Sequence, residues 1–365
     1  LSLNSLNIYN FDTSNVTNME YMFNNCKNLT EINFDFKTNK VEKMNSMFSN
    51  CNQLISLNFN NQFVTSSVTD MNKMFYNCYT LEELNLDYFY TPNLLNMSQM
   101  FYNCSNLTSL KLSKFATSNV TDMSKLFCSC VSLISLDLKN FNSNNVTNMS
   151  AMFYNCENLE ELNLYFETPL VTNMELMFYN CMNLTSLNLS SFNTGEVQTI
   201  NKMFYNCQSL SYLDLNSFNT SKINNMGHLF YGCESLEYLN IESFETPNVE
   251  KMEYMFYNCS QLKTLDLSRF NTQKVENMSS MFNNCEQLTY LKLNDLNVEK
   301  VKDMEYLFGG CRSLITLNLS SFSTPNLSKM KYMFYNCQSL VNLNINSLNT
   351  ELIKDMSHEI GRAHV

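Results

Sequence analysis

Cysteine returns along this chain at a nearly fixed interval. It stands at positions 26, 51, 78, 104, 130, 156, 181, 207, 233, 259, 285, 311 and 337, with successive spacings of 25, 27, 26, 26, 26, 25 and then 26 throughout. Only Cys128 falls outside the register. A Met-Phe or Leu-Phe pair precedes each registered cysteine, from Met22-Phe23 to Met333-Phe334, and a run of leucines follows it. A period of 20–50 residues means an array of like units, each too small to bury its own apolar face. Residues 1–358 therefore read as one array of about fourteen coils, incomplete at both ends. The tail Glu359-Ile-Gly-Arg-Ala-His-Val365 abandons the repeat and reads as a non-native extension, the translation of a sequencing adapter.

Within a unit the apolar period changes. Val249, Met252, Met255, Phe256 and Cys259 fit inside a roughly 120° arc at 100° per residue, which predicts an amphipathic helix or 3₁₀ segment. Leu262, Leu265 and Leu267 follow, and the last two alternate as a strand with one buried face. Pro92, Pro169, Pro247 and Pro325 each follow a threonine, the arrangement expected of an N-cap such as Thr246 ahead of the first helical position. A 26-residue unit with L-x-x-L-x-L carries the leucine-rich-repeat signature. The expected fold is an α/β solenoid, a right-handed leucine-rich-repeat coil with a concave parallel sheet and short convex helices or 3₁₀ segments.

Composition narrows the function. Six glycines leave no Gly-rich phosphate loop, and three histidines (His228, His358, His364) leave little for a metal cluster or a histidine-based catalytic site. A net charge of -11 repels phosphate backbones, so no nucleic-acid partner is expected. The expectation is no enzyme, no cofactor and no transmembrane segment. A cysteine spacing of 26 suits neither zinc ligation nor disulfides between coils, and predicts a buried column of free thiols. Cys128, at a position usually held by tyrosine, is expected to be the most exposed of them.

The stretch Phe11-Asp-Thr-Ser-Asn-Val-Thr-Asn-Met19 with Met22-Phe23-Asn-Asn-Cys26, and Phe141-Asn-Ser-Asn-Asn-Val-Thr-Asn-Met149 with Met152-Phe153-Tyr-Asn-Cys156, resemble the BspA-like leucine-rich-repeat surface proteins. The resemblance runs from about residue 3 to 356. It implies a cell-surface or secreted protein that adheres to a protein or glycan of a host or neighbouring cell. It supplies no catalytic residue. The alternative is an intracellular leucine-rich-repeat scaffold or regulator, which unpaired thiols also suit.

Binding residues are expected at the variable positions of the strand, L-x-x-L-x-L, on the concave face. The central x is mostly Asn or Asp, and reads as a solvated polar column. The x before it carries Glu31, Glu83 and Glu161 early in the chain, with Glu82 and Glu160 beside two of them, and tyrosine later. The candidate ligand-binding set is Tyr212, Tyr238, Tyr290, Glu237, Lys263, Asp214, Asn240 and Asp266, because tyrosine is enriched at binding hot spots. A second tyrosine column (Tyr76, Tyr102, Tyr154 and onward) lies beside the Met-Phe core, and reads as cover for that core.

Overall fold

The computed structural model describes residues 3–294 and 296–357. The chain divides into two compact units, Leu1–Asn173 with Met177–Leu184, and Met174–Leu176 with Thr185–Val365. Each unit is a parallel β-solenoid. The first carries β1 (Ser5–Asn7), β2 (Glu31–Asn33), β3 (Glu83–Asn85), β4 (Ser109–Lys111), β5 (Ser135–Leu138) and β6 (Glu161–Leu164). The second carries β7 (Tyr212–Asp214), β8 (Tyr238–Asn240), β9 (Thr264–Asp266), β10 (Tyr290–Lys292), β11 (Thr316–Asn318) and β12 (Asn342–Asn344). The strands pair two by two, all parallel, with residues 26 apart as partners. The expected tail at 359–365 lies outside the described residues.

The expected helices are absent among the described residues, and the backbone shows why. In the second unit, Met255 N–H donates to Met252 C=O, Tyr257 to Tyr254 and Cys259 to Phe256, at 3.3, 3.2 and 3.1 Å. These are successive three-residue turns. The interleaved amides donate instead to the next coil: Met252 to Asn277, Tyr254 to Ser279, Phe256 to Met281 and Asn258 to Asn283, at 3.2, 3.0, 2.9 and 2.8 Å. Tyr254 and Asn258 sit at φ 57° and 59°. A left-handed residue at the third position of a turn is the mark of type II geometry, and it turns every second peptide along the stack. Left-handed residues four apart break any right-handed helix.

The same pair of positive-φ residues recurs in every Met-Phe segment, from Tyr21 and Asn25 to Tyr332 and Asn336. The position before cysteine is asparagine except at Ser129, Gly232 and Gly310, since Asn and Gly tolerate the left-handed region best. A Cβ added at Gly232 or Gly310 would press on Oδ1 of Asn206 or Asn284.

Side chains 26 apart form columns. Phe204, Phe230, Phe256, Phe282, Phe308 and Phe334 stack with centroids 5.5–5.8 Å apart and nearly parallel planes. Phe23 through Phe153 do the same in the first unit, at 5.3–5.7 Å. The threonines expected to cap helices instead tie coils together. Buried Thr246 donates its hydroxyl to Asn271 C=O at 2.8 Å, and Thr117 both donates to Asn142 C=O and accepts its N–H.

All fourteen cysteines are free. Cys259 Sγ donates to Phe230 C=O of the preceding coil at 3.2 Å, and the pattern repeats down the column. Cys128 is 4% exposed, so the expectation of an exposed thiol there is corrected; Cys26 is the half-buried one. Its column is the half-buried side of the tyrosine stack, where a small side chain sinks below its neighbours.

Two outcomes follow from these contacts. Replacing Asn258 with valine should lower stability by about 1–2 kcal/mol more than replacing it with glycine, because only valine resists the left-handed region. Both replacements lose the Asn258 Nδ2 bond to Glu234 Oε1, so the difference in urea midpoints isolates the backbone. Burial pushes the thiols of Cys51, Cys233, Cys285 and Cys337 up to about 12 from 9.0. Their folded values lie above their unfolded ones, so this stability is complete below pH 9 and drains as pH climbs towards 12. Denaturation midpoints should hold level from neutral pH to about 8 and then fall steeply, and a Cys→Ala set should flatten the fall.

Candidate strand-face binding site

Alternation along each short strand sorts the residues. In β7, Leu213 is buried while Tyr212 and Asp214 project outward. Tyr212, Tyr238 and Tyr290 are 52%, 47% and 55% exposed, large fractions for aromatic side chains. The register places Tyr212 beside Tyr238, and their rings stack at 4.6 Å and 5°. Tyr290 pairs with Thr264 instead, so it stands apart from that pair. Desolvation, then the neighbouring Tyr212, Asp214 and Glu242, hold the Tyr238 phenol above its usual value.

The charged members of the expected set fall into pairs. Glu237 meets Lys263 at 3.0 Å, with both side chains 58% exposed, so the pair adds little stability. Asp266 meets Lys292 at 3.1 Å, a partner the sequence reading left out. Asp214 lies between Asn240, its register partner on β8, and the strand segment that carries Asn188. No ion pair reaches it among the described residues.

The central column of asparagine and aspartate is more than a solvated stripe. Asn188 Oδ1 accepts the Ser190 N–H at 3.0 Å, Asp214 that of Asn216 at 2.9 Å, Asn240 that of Glu242 at 3.2 Å and Asp266 that of Ser268 at 2.8 Å. Each is an Asx turn that closes the chain's exit from the strand, and this is why the column favours these residues.

Sequence reasoning missed a groove. Between Leu187–Ser190 and β7, pairing stops after the single bridge Ser186↔Tyr212. An open groove of about 640 Å³ lies there, lined by Ser186, Asn188, Ser190, Tyr212, Asp214 and Asn216 among others. The leucines of this segment keep the L-x-L spacing, so nothing in it announces the break; Asn188 belonged to the central column without being singled out. On the turn side, Tyr76 and Tyr102, Tyr154 and Tyr179, and Tyr205, Tyr231 and Tyr257 stack at 4.4–4.7 Å and are half-buried, as a cover for the core should be.

Among the described residues no group of three or more His, Cys, Asp or Glu is placed to hold a metal ion, and no helix is long and apolar enough to cross a membrane. The fold and its strand face define a repeat protein built as a parallel solenoid. The sequence matches the family described as "Mycoplasma protein of unknown function, DUF285" over residues 2–109, 79–185, 164–265 and 259–365, and the chain belongs to that family. Solved structures similar to it include a leucine-rich repeat protein from Bacteroides ovatus (20% identity, TM-score 0.45, 97% of this chain and 74% of that one) and one from Eubacterium ventriosum (15%, 0.45, 98% and 87%). A leucine rich cell surface protein from Faecalibacterium prausnitzii is similar at 15% identity and a TM-score of 0.30, over 94% of this chain and 79% of that one. No curated protein matches the sequence.

Proposed function

We propose that this chain is a non-catalytic recognition module, displayed at a cell surface or secreted, that adheres to a protein or glycan of another cell through its strand face. The observation that carries the reading is the stacked, half-exposed pair Tyr212 and Tyr238 on a hydrogen-bonded sheet. Tyrosines held by a stiff scaffold bury large area on binding while losing little rotamer freedom, which is the energetic profile of a contact anchor. Neighbouring Asn240, Asp266, Glu237 and Lys263 supply polar contacts around them. The sequence's resemblance to the BspA-like proteins supports the surface location.

A triple variant, Tyr212→Ser, Tyr238→Ser and Tyr290→Ser, tests this on a panel of purified extracellular-matrix glycoproteins, intact and deglycosylated. The wild type should bind at least one, and the variant should bind it at least about tenfold more weakly, because each anchor contributes more than about 1 kcal/mol. Circular dichroism should show the variant folded, since all three side chains project from the sheet. Equal binding by both proteins would remove the tyrosines from the contact.

A further inference from the structure

We infer that the groove beside β7 seats an arginine side chain from an extended, basic segment of a protein partner. The inference rests on the recognition reading above, and names the chemistry that one part of the strand face selects. Three features converge. Tyr212 has one ring face covered by Tyr238 at 4.6 Å. Its other side faces Ser186, its bridge partner, whose small side chain leaves the ring open towards the groove. Asp214 lies two residues further along the same face of the strand, roughly 6.6–7 Å away.

The carboxylate decides what fits. The two comparable aspartates on this column are neutralised: Asp137 by Lys139 at 2.8 Å and Asp266 by Lys292 at 3.1 Å. Asp214 has amides on both flanks, Asn188 and Asn240, and its Oδ1 takes one backbone N–H, from Asn216. The charge is surplus to that turn, because asparagine closes the same turn at 188, 240 and 318. An unpaired anion beside an open aromatic face, on a chain of net charge -11, complements a cation. A planar guanidinium suits both halves of the site, since it stacks on the ring of tyrosine while its fork bonds a carboxylate. The amides of Asn188 and Asn216 line the same groove, within reach of the backbone of an extended segment.

The probe is a fluorescein-labelled peptide of four Gly-Arg repeats, with citrulline and lysine analogues, titrated by anisotropy. Maltoheptaose serves as the neutral glycan probe. The wild type should bind the arginine peptide, prefer it to the lysine form and ignore the citrulline form. Asp214→Asn, which keeps the turn, and Tyr212→Ser should each weaken binding about tenfold or more, whereas Asp137→Asn, the same charge change in the other unit, should alter it less than about twofold. Three results would overturn the inference: no binding of the arginine peptide, equal weakening by Asp214→Asn and Asp137→Asn, or maltoheptaose binding that Asp214→Asn abolishes. If the tyrosine triple variant loses the matrix partner while Asp214→Asn does not, the arginine seat falls and the recognition module stands.

Discussion

Every second peptide of the Met-Phe segments donates its N–H to the next coil, and the rest of the architecture depends on that exchange. In an α-helix the backbone satisfies itself, so a helical solenoid can vary from unit to unit as long as faces pack. Here Met252, Tyr254, Phe256 and Asn258 are satisfied only if coil 277–283 is in place and in register. Isolated bridges run the same way from Asn18 through Lys43, Asp70, Asn96, Asp122 and Asn148 to Asn173, and from Asn225 to Lys329 in the second unit. Hydrogen bonding on the turn side thus fixes the axial registry, and the short strands opposite inherit it. Like stacks on like as a consequence: phenylalanine on phenylalanine, thiol over thiol, threonine under backbone. The thiols gain no bond from this proximity. Down the registered column, from Cys51 to Cys337, S–H groups find the Phe C=O of the preceding coil, which also accepts the N–H of its own coil's cysteine, so sulfur serves as a compact filler with one weak donor.

The 59 asparagines belong to the same scheme. One column occupies the left-handed position before cysteine, where the side chains also bond along the stack, Asn77 to Asn50 at 2.9 Å and Asn103 to Asn77 at 3.1 Å. Others close Asx turns: after the strand at Asn188, before methionine at Asn96, and after the phenylalanine at Asn219. Glycine would reach the same dihedrals, but it would add flexibility to the unfolded chain and leave amide-to-amide bonds unmade. Asparagine takes most of the left-handed positions before cysteine, where only Gly232 and Gly310 are glycine, whereas the other left-handed position of each segment is held by residues such as Tyr21, Lys73, Leu176 and His228.

Much of this was legible. The 26-residue period gave the columns, the buried free thiols, the parallel strands and the adjacency of Tyr212 and Tyr238. The helix was misread for a physical reason: overlapping three-residue turns bury positions 249, 252, 255, 256 and 259, and a helical face buries the same set. The distinguishing signal is the asparagine before most of the registered cysteines, a residue that favours the left-handed region and weakens a helix interior. Cys128 departs from its expected exposure because of side-chain size: the tyrosines of its column cover the core as expected, and a thiol among them is too short to reach past them to solvent. The groove beside β7 was illegible for a different reason. Whether two neighbouring strands stay paired is a backbone matter, and Leu187–Leu189 carries the same L-x-L pattern as strands that do.

The strand face separates structural from chemical duty more cleanly than the turn face. On the turn side nearly every position is committed, whether by a left-handed φ, a bond to the next coil or a stacked ring. On the strand side the leucines hold the core, and the central column mostly supplies an oxygen that closes its turn, yet the outward position before it has no such role. It holds Glu31, Glu83 and Glu161 in one unit and Tyr212, Tyr238 and Tyr290 in the other without altering the strand geometry. Even the central column tolerates lysine at 111 and 292. A residue there that is more than the turn requires, such as a carboxylate where an amide would close it, is then free to answer to something outside the fold, and this is why charge and aromaticity on this face are better guides to a partner than any feature of the core.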